Sequence, residues 1–172
     1  MNEVIKTMEE RRSVRAYKPD HVAPELIDQI LEAGSYAANG MGRQPVIVLA
    51  VTDKTLRDKL SRMNAAVMGR DGDPFYGAPA VLVVLADKNS MTHVYDGALV
   101  MGNMMNAAAS LGVASCWIHR AKETFESEEG KQILKDLGIE GDYEGIGNLI
   151  IGYADGEVKP AAPRKEKFAY RV

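Results

Sequence analysis

Ala80-Val-Leu-Val-Val-Leu-Ala86 is an unbroken run of apolar residues. A strand with one face in water alternates apolar and polar side chains, whereas this run has no polar residue at all, so both of its faces must be covered. A sheet with protein layers on both sides follows. Working outward, Val46–Thr52 and Val113–Ile118 read as further strands rich in β-branched residues, and Gly147–Tyr153 (GNLIIGY) as a fourth. Helices fill the intervals: Asn2–Arg12, with Val4, Ile5 and Met8 on one face; Pro24 to about Ala37, where proline suits the first turn and Leu26, Ile27, Ile30 and Leu31 follow; a charged helix from about Asp53 to Met68; Val94–Leu111; and about Glu128–Leu137. Gly97, Gly102 and Ala107–Ala109 would let Val94–Leu111 pack closely at the centre while Met101, Met104 and Met105 fill irregular gaps, and part of its face reads as an interface between two copies of the chain. The fold class is layered α/β or α+β.

Length limits the rest. A chain of 172 residues makes one domain spanning 1–172, and folding removes about 70% of its surface from water. With 46% hydrophobic and 26% charged residues it is neither disordered nor fibrous. A net charge of −3 argues against a nucleic-acid partner. One cysteine excludes an internal disulfide, and with three histidines no Cys/His cluster has zinc spacing, so no metal site is expected. The N-terminus lacks the apolar stretch of a signal peptide, and no run of about 18 apolar residues could span a membrane. A reducing, cytoplasmic setting is the expectation.

Cations gather at the two ends: Arg11, Arg12, Arg15 and Lys18 in the first loop, and Lys159, Arg164, Lys165, Lys167 and Arg171 in the tail. In an acidic chain this pattern suits capture of an anion, because the guanidinium fork matches phosphate oxygens. The known phosphate loops do not account for it. Gly40-Met-Gly42-Arg-Gln-Pro45 lacks a third glycine and follows a helix, Gly145-Ile-Gly147 opens a strand, and a P-loop lysine is missing. Cys116 and His119 stand three apart on a strand and face opposite sides, so they cannot form a dyad, and Cys116 reads as structural. His21 and His93 are expected to be exposed, His93 near a helix start. With acid–base and covalent chemistry poorly supplied, an anionic cofactor carrying its own reactivity is the economical hypothesis.

Arg11-Arg12-Ser13-Val14-Arg15 after an N-terminal helix, the Arg43-Gln44-Pro45 loop, Ser115-Cys116-Trp117-Ile118-His119, Gly145–Tyr153 and Pro163-Arg164-Lys165 occur in an order that resembles the nitroreductase family of FMN enzymes along essentially the whole chain. The resemblance implies an α+β fold with a mixed central sheet flanked by helices, in an intertwined homodimer with FMN at the interface. Arg11, Arg164 and Lys165 would then hold the phosphate, Arg12 and Ser13 would support the ribityl and phosphate region, and Arg15 would lie at the pyrimidine edge. Asn39, Gly40 and Gly42 would come from the partner subunit with Gln44 nearby, and Trp117, Ile118, His119 and Arg120 would present a backbone amide to flavin N5. His119, through its main chain, and Arg15 are the catalytic candidates, and Asn64 is a further cofactor candidate. The implied activity is ping-pong hydride transfer from NADH or NADPH to nitroaromatic, quinone or similar acceptors. A dehalogenase-like reductive enzyme and a non-catalytic flavin-binding or delivery protein are the alternatives. This chain has Val46 where the family often has Trp, and Gly42 where a polar residue is common.

Overall fold

The computed structural model describes residues 1–172. Its helices are α1 (Glu3–Glu10), α2 (Pro24–Ser35), α3 (Lys54–Met68), α4 (His93–Ser110), α5 (Ala121–Glu126) and α6 (Glu128–Asp136), and its strands are β1 (Val46–Val51), β2 (Ala80–Asp87), β3 (Ala114–Ile118) and β4 (Tyr143–Gly152). The sheet order is β1-β2-β4-β3, and each neighbouring pair is antiparallel. The parallel component of the expected mixed sheet is confined to one isolated bridge, Ser13 with Ser115.

β2 lies between β1 and β4, which explains its composition. Val81, Val83 and Leu85 face one core with Leu60, Phe75, Phe125 and Ile150, against α3, α5 and α6. Ala80, Leu82 and Val84 face the other, with Ile30, Met101, Met104 and Leu149, against α2 and α4. Every residue of Val81–Ala86 is fully buried.

Two elements differ from the sequence reading. β4 starts at Tyr143, ahead of the expected Gly147, and α5 follows β3 directly. Glycine hid the first: a Cβ on Gly145 would stand 2.2 Å from the Ala121 carbonyl oxygen, and one on Gly147 2.2 Å from Trp117 Nε1. Strand propensity therefore gives way there to close approach of α5 and the indole. A bulge between Val84 and Leu85 absorbs the extra residue, Ile146. Side-chain caps open two of the helices: Asn2 Oδ1 accepts from Val4 N at 2.8 Å and Asp53 Oδ1 from Leu56 N at 2.8 Å.

α1 buries no residue, and Val4, Ile5 and Met8 are at least half exposed. The tail from Asp155 onward is also exposed, including Phe168 and Tyr170. The chain accordingly exposes 10499 Å², where a compact monomer of this mass exposes about 8,300 Å².

Candidate functional site

The segment after α1 is stitched between β3 and the chain beyond β4. Val14 N donates to Ser115 O at 3.1 Å, Lys18 N to Tyr153 O at 2.9 Å, and Asp155 N to Ala16 O at 2.9 Å. Tyr17 anchors it: the ring is buried, its hydroxyl donates to Val14 O at 2.9 Å, and burial pushes the phenol far above its ordinary pKa. One result is a cleft of about 440 Å³ with Arg12, Ser13 and Arg15 on one wall and Ala154–Pro160, with Asp155, Glu157 and Lys159 among them, on the other. The beginning of the basic tail thus meets the first basic loop inside a single chain.

The cations of this loop are not neutralised within the chain. Arg11, Arg12 and Arg15 take part in none of the ion pairs. Arg12 Nη1 donates to the carbonyls of Glu9 at 2.6 Å and Arg11 at 2.7 Å, but Arg12 Nε and Arg11 Nη1 are buried without any partner. A buried donor left unsatisfied costs about 1–3 kcal/mol. A smaller cleft beside the first is lined by Arg11, Arg12, Gly112, Ser115 and Val158. The two donors belong to consecutive residues; Glu10, Asp155 and Glu157 line the same clefts, but none of them pairs with Arg11, Arg12 or Arg15.

At the far end of β3, Trp117 packs toward α4 and Ile118 is buried, while His119 and Arg120 emerge into solvent. The Trp117 and His119 rings lie 5.9 Å apart, and Trp117 Nε1 is a further buried donor without a partner. Arg120 holds the left-handed conformation, φ 80°, with its carbonyl accepting from both N and Oγ1 of Thr124. Neither the His119 nor the Arg120 amide donates to another backbone group, so the turn leaves both N–H groups free. Cys116, by contrast, is buried on the opposite face, which separates it from His119 as the strand geometry requires.

Loop 39–44 is held from within and from below. Gln44 N donates to Asn39 Oδ1 at 2.9 Å, and Gly40 N donates to Asp96 Oδ1, also at 2.9 Å. Met41, Gly42 and Gln44 all have positive φ (55°, 67° and 48°), costly for the two non-glycine residues. Between this loop, α2 and β1 lies an apolar cleft of about 320 Å³, lined by Leu31, Ala37, Val46, Val48 and Val100 with Asn39 and Gln44 at its polar edge.

Three expectations fare differently. Arg164 and Lys165 are exposed and line neither cleft that Arg11 or Arg12 lines, and Arg164 Nε and Nη2 donate to Ala162 O at 3.0 and 2.6 Å. Asn64 does not line any of these clefts: it is fully buried under the sheet, where its Oδ1 accepts from Asn148 Nδ2 at 3.2 Å. That bond links α3 to β4 and occupies the Asn64 amide oxygen. His93 is not exposed either; 18% of its side chain is accessible, with Nδ1 2.8 Å from Ser90 O and Nε2 3.5 Å from Glu144.

Two groups escaped the sequence reading. Asp96, 3% exposed, accepts from Gly40 N and, at 2.7 Å, from Thr92 Oγ1. On the opposite face Asp73 accepts from Arg57, Ser61 and the Phe75 and Gly77 amides, fastening the loop before β2. Burial alone would raise the Asp73 carboxyl, but these donors outweigh it and hold the group below the ordinary carboxylate range. The GRDGDPFYGAP composition signalled a turn, not a carboxylate closing over a buried arginine.

The sequence pattern of the nitroreductase family matches residues 8–153. A nitroreductase with bound FMN from Bacteroides fragilis is 30% identical and superposes with a TM-score of 0.91 over 100% of both chains. Another with bound FMN, from Desulfitobacterium hafniense, is 29% identical with a TM-score of 0.89, again over 100% of both. The FMN reductase [NAD(P)H] of Bacillus subtilis is 39% identical over 90 residues, which cover 52% of this chain and 34% of that protein. No helix is long and apolar enough to cross a membrane.

Proposed function

The chain belongs to the nitroreductase family, and from that premise we propose that it is an FMN-dependent NAD(P)H oxidoreductase, active as a homodimer on nitroaromatic, quinone or similar acceptors. The observation that carries the reading is the pair of buried, partnerless donors Arg11 Nη1 and Arg12 Nε in a cluster without a carboxylate partner. A phosphomonoester supplies what they lack, with a charge near −2 and several acceptor oxygens, so the residues fit the group. FMN, when bound, supplies the two-electron redox chemistry that takes hydride from NADH or NADPH and delivers it to the acceptor.

The chain's own residues bind, orient and polarise. Arg11, with Arg164 and Lys165 brought from a second copy, holds the phosphate; Arg12 and Ser13 support the ribityl side. Arg15, exposed and without an ion-pair partner, stabilises negative charge at the pyrimidine edge. The free amides at His119 and Arg120 are available to the flavin's N5 region. Loop 39–44, carrying Asn39, Gly40, Gly42 and Gln44, covers the partner's cofactor, and Trp117 and Ile118 support the turn from beneath.

The homodimer is supported by the surface left open. α1 and the tail expose Val4, Ile5, Met8, Phe168 and Tyr170, and Gly102 on α4 faces open space in which a Cβ would meet nothing within 4 Å. A single nitroreductase-like domain with one buried, unpaired cysteine suits the cytoplasm.

The purified protein should be yellow. Under anaerobic conditions NADH or NADPH should bleach the bound flavin, and a panel of nitroaromatics, quinones and halogenated aromatics should restore the colour at rates that identify the acceptor class. Colour that survives both nicotinamides would overturn the enzyme reading and favour a flavin-binding or delivery protein. Selective reoxidation by the halogenated compounds would favour the dehalogenase-like alternative.

A further inference from the structure

The strained loop 39–44 does not hold its shape alone. Gly40 N donates to Asp96 Oδ1 at 2.9 Å, joining residues 56 positions apart, and the other carboxylate oxygen accepts from Thr92 Oγ1 at 2.7 Å. Asp96 is 3% exposed and no ion pair neutralises it. A buried carboxylate with no cation is expensive unless its hydrogen bonds are well formed, and here they come from the loop and from Thr92, the residue that precedes α4. Gly40 is required by the same contact: a Cβ there would stand 2.2 Å from Thr92 Oγ1 and 3.1 Å from Thr92 Cβ and Cγ2. Beyond the contact the chain is bent through positive φ at Met41, Gly42 and Gln44, with Asn39 Oδ1 closing the loop on Gln44 N. Backbone strain of this kind persists only where the surroundings impose it.

We propose that Asp96 is a positioning residue, which with Thr92 clamps loop 39–44 onto the start of α4 and thereby presets the loop for the flavin it covers. The second half rests on the reading of this loop as a cofactor contact. Asp96 touches no reacting atom; it acts through the Gly40 amide. The carboxylate also ties the loop to the turn carrying His93, whose Nε2 faces Glu144, itself paired with Lys122 on α5 at 3.2 Å.

The test pairs amide exchange with cofactor affinity on the full-length protein. In Asp96→Ala, hydrogen exchange of the peptide over residues 38–46 should accelerate with and without FMN, while peptides of β2 and α3 keep their protection. FMN should bind about tenfold more weakly, as expected from loss of one charge-assisted hydrogen bond. Asp96→Asn, which retains an acceptor for Gly40 N, should recover most of both properties. Gly40→Ala, whose Cβ would stand 2.2 Å from Thr92 Oγ1, should reproduce the Asp96→Ala behaviour, and the double variant Gly40→Ala with Asp96→Ala should be no worse than either alone. That non-additivity would not arise from general destabilisation. Unchanged exchange of the 38–46 peptide in Asp96→Ala would overturn the clamp. Faster exchange with undiminished FMN affinity would leave the clamp standing and overturn the loop's role as a cofactor contact.

Discussion

Replacing Arg11 by Met should move stability and cofactor affinity in opposite directions. Within the chain Arg11 Nη1 is buried and has no hydrogen-bond partner, a condition that costs about 1–3 kcal/mol where no other group supplies an acceptor. Met keeps much of the side-chain volume and removes the orphaned donor, so the apo melting temperature should hold or rise, by about 2–4 °C for each kcal/mol in a chain of this size. FMN binding should suffer, because the phosphate loses a partly desolvated charged donor. A loss of about 2–4 kcal/mol corresponds to roughly a 30- to 1,000-fold weaker Kd. Ligand-induced stabilisation amplifies the contrast: with FMN at 100 times the wild-type Kd, binding stabilises the wild type by about 2.7 kcal/mol. After a hundredfold loss of affinity the same concentration stabilises by only about 0.4 kcal/mol. Thermal melts at several FMN concentrations read both quantities, and riboflavin, which lacks the phosphate, is the control. Its affinity should be the same in variant and wild type. The reasoning fails if Arg11→Met binds FMN as tightly as the wild type, or if FMN and riboflavin weaken by the same factor.

Asp73→Ala should cost about 3 kcal/mol, because it leaves Arg57 buried with only Asp58, at 3.1 Å, to balance it; urea unfolding measures it. The Asp73 carboxyl is held below its unfolded value, so its contribution is complete above a pH of about 4 and disappears as the pH falls through the folded pKa. Asp73→Asn should therefore flatten the acid limb of stability against pH, and an unaltered acid limb would contradict the assignment. Gly147→Ala would place a Cβ 2.2 Å from Nε1 of the sole tryptophan and 2.9 Å from Met101 Cε. The expected outcome is a loss of about 1–3 kcal/mol and a red-shifted emission as the indole is pushed outward; unchanged fluorescence would show that the contact relaxes some other way.

The layers of this protein are written in its composition, because burial selects residue types. A strand covered on both faces cannot carry polar residues, so Ala80–Ala86 is legible, as are α2 from its apolar spacing, α3 from its charged run and α4 from its small residues and methionines. The gathering of Arg11, Arg12 and Arg15 was equally visible, since an acidic chain concentrates cations only locally. Tertiary structure decided which of these residues meet. Asp96 reads in sequence as one charge before a helix; only the return of the chain from Gly40 to the first turn of α4 makes it a buried acceptor. Asn64 looked available because an asparagine is polar, yet a hydrogen bond from Asn148 on β4 occupies its amide oxygen beneath the sheet. The start of β4 was obscured by Gly145 and Gly147, which exist for the closeness of the Ala121 backbone and of Trp117 and not for strand propensity. Hydrophobic pattern is a property of each segment, whereas hydrogen-bond partners and close contacts belong to pairs of segments distant along the chain. The fold class could thus be read from one strand, and the condition of its arginines only from their surroundings.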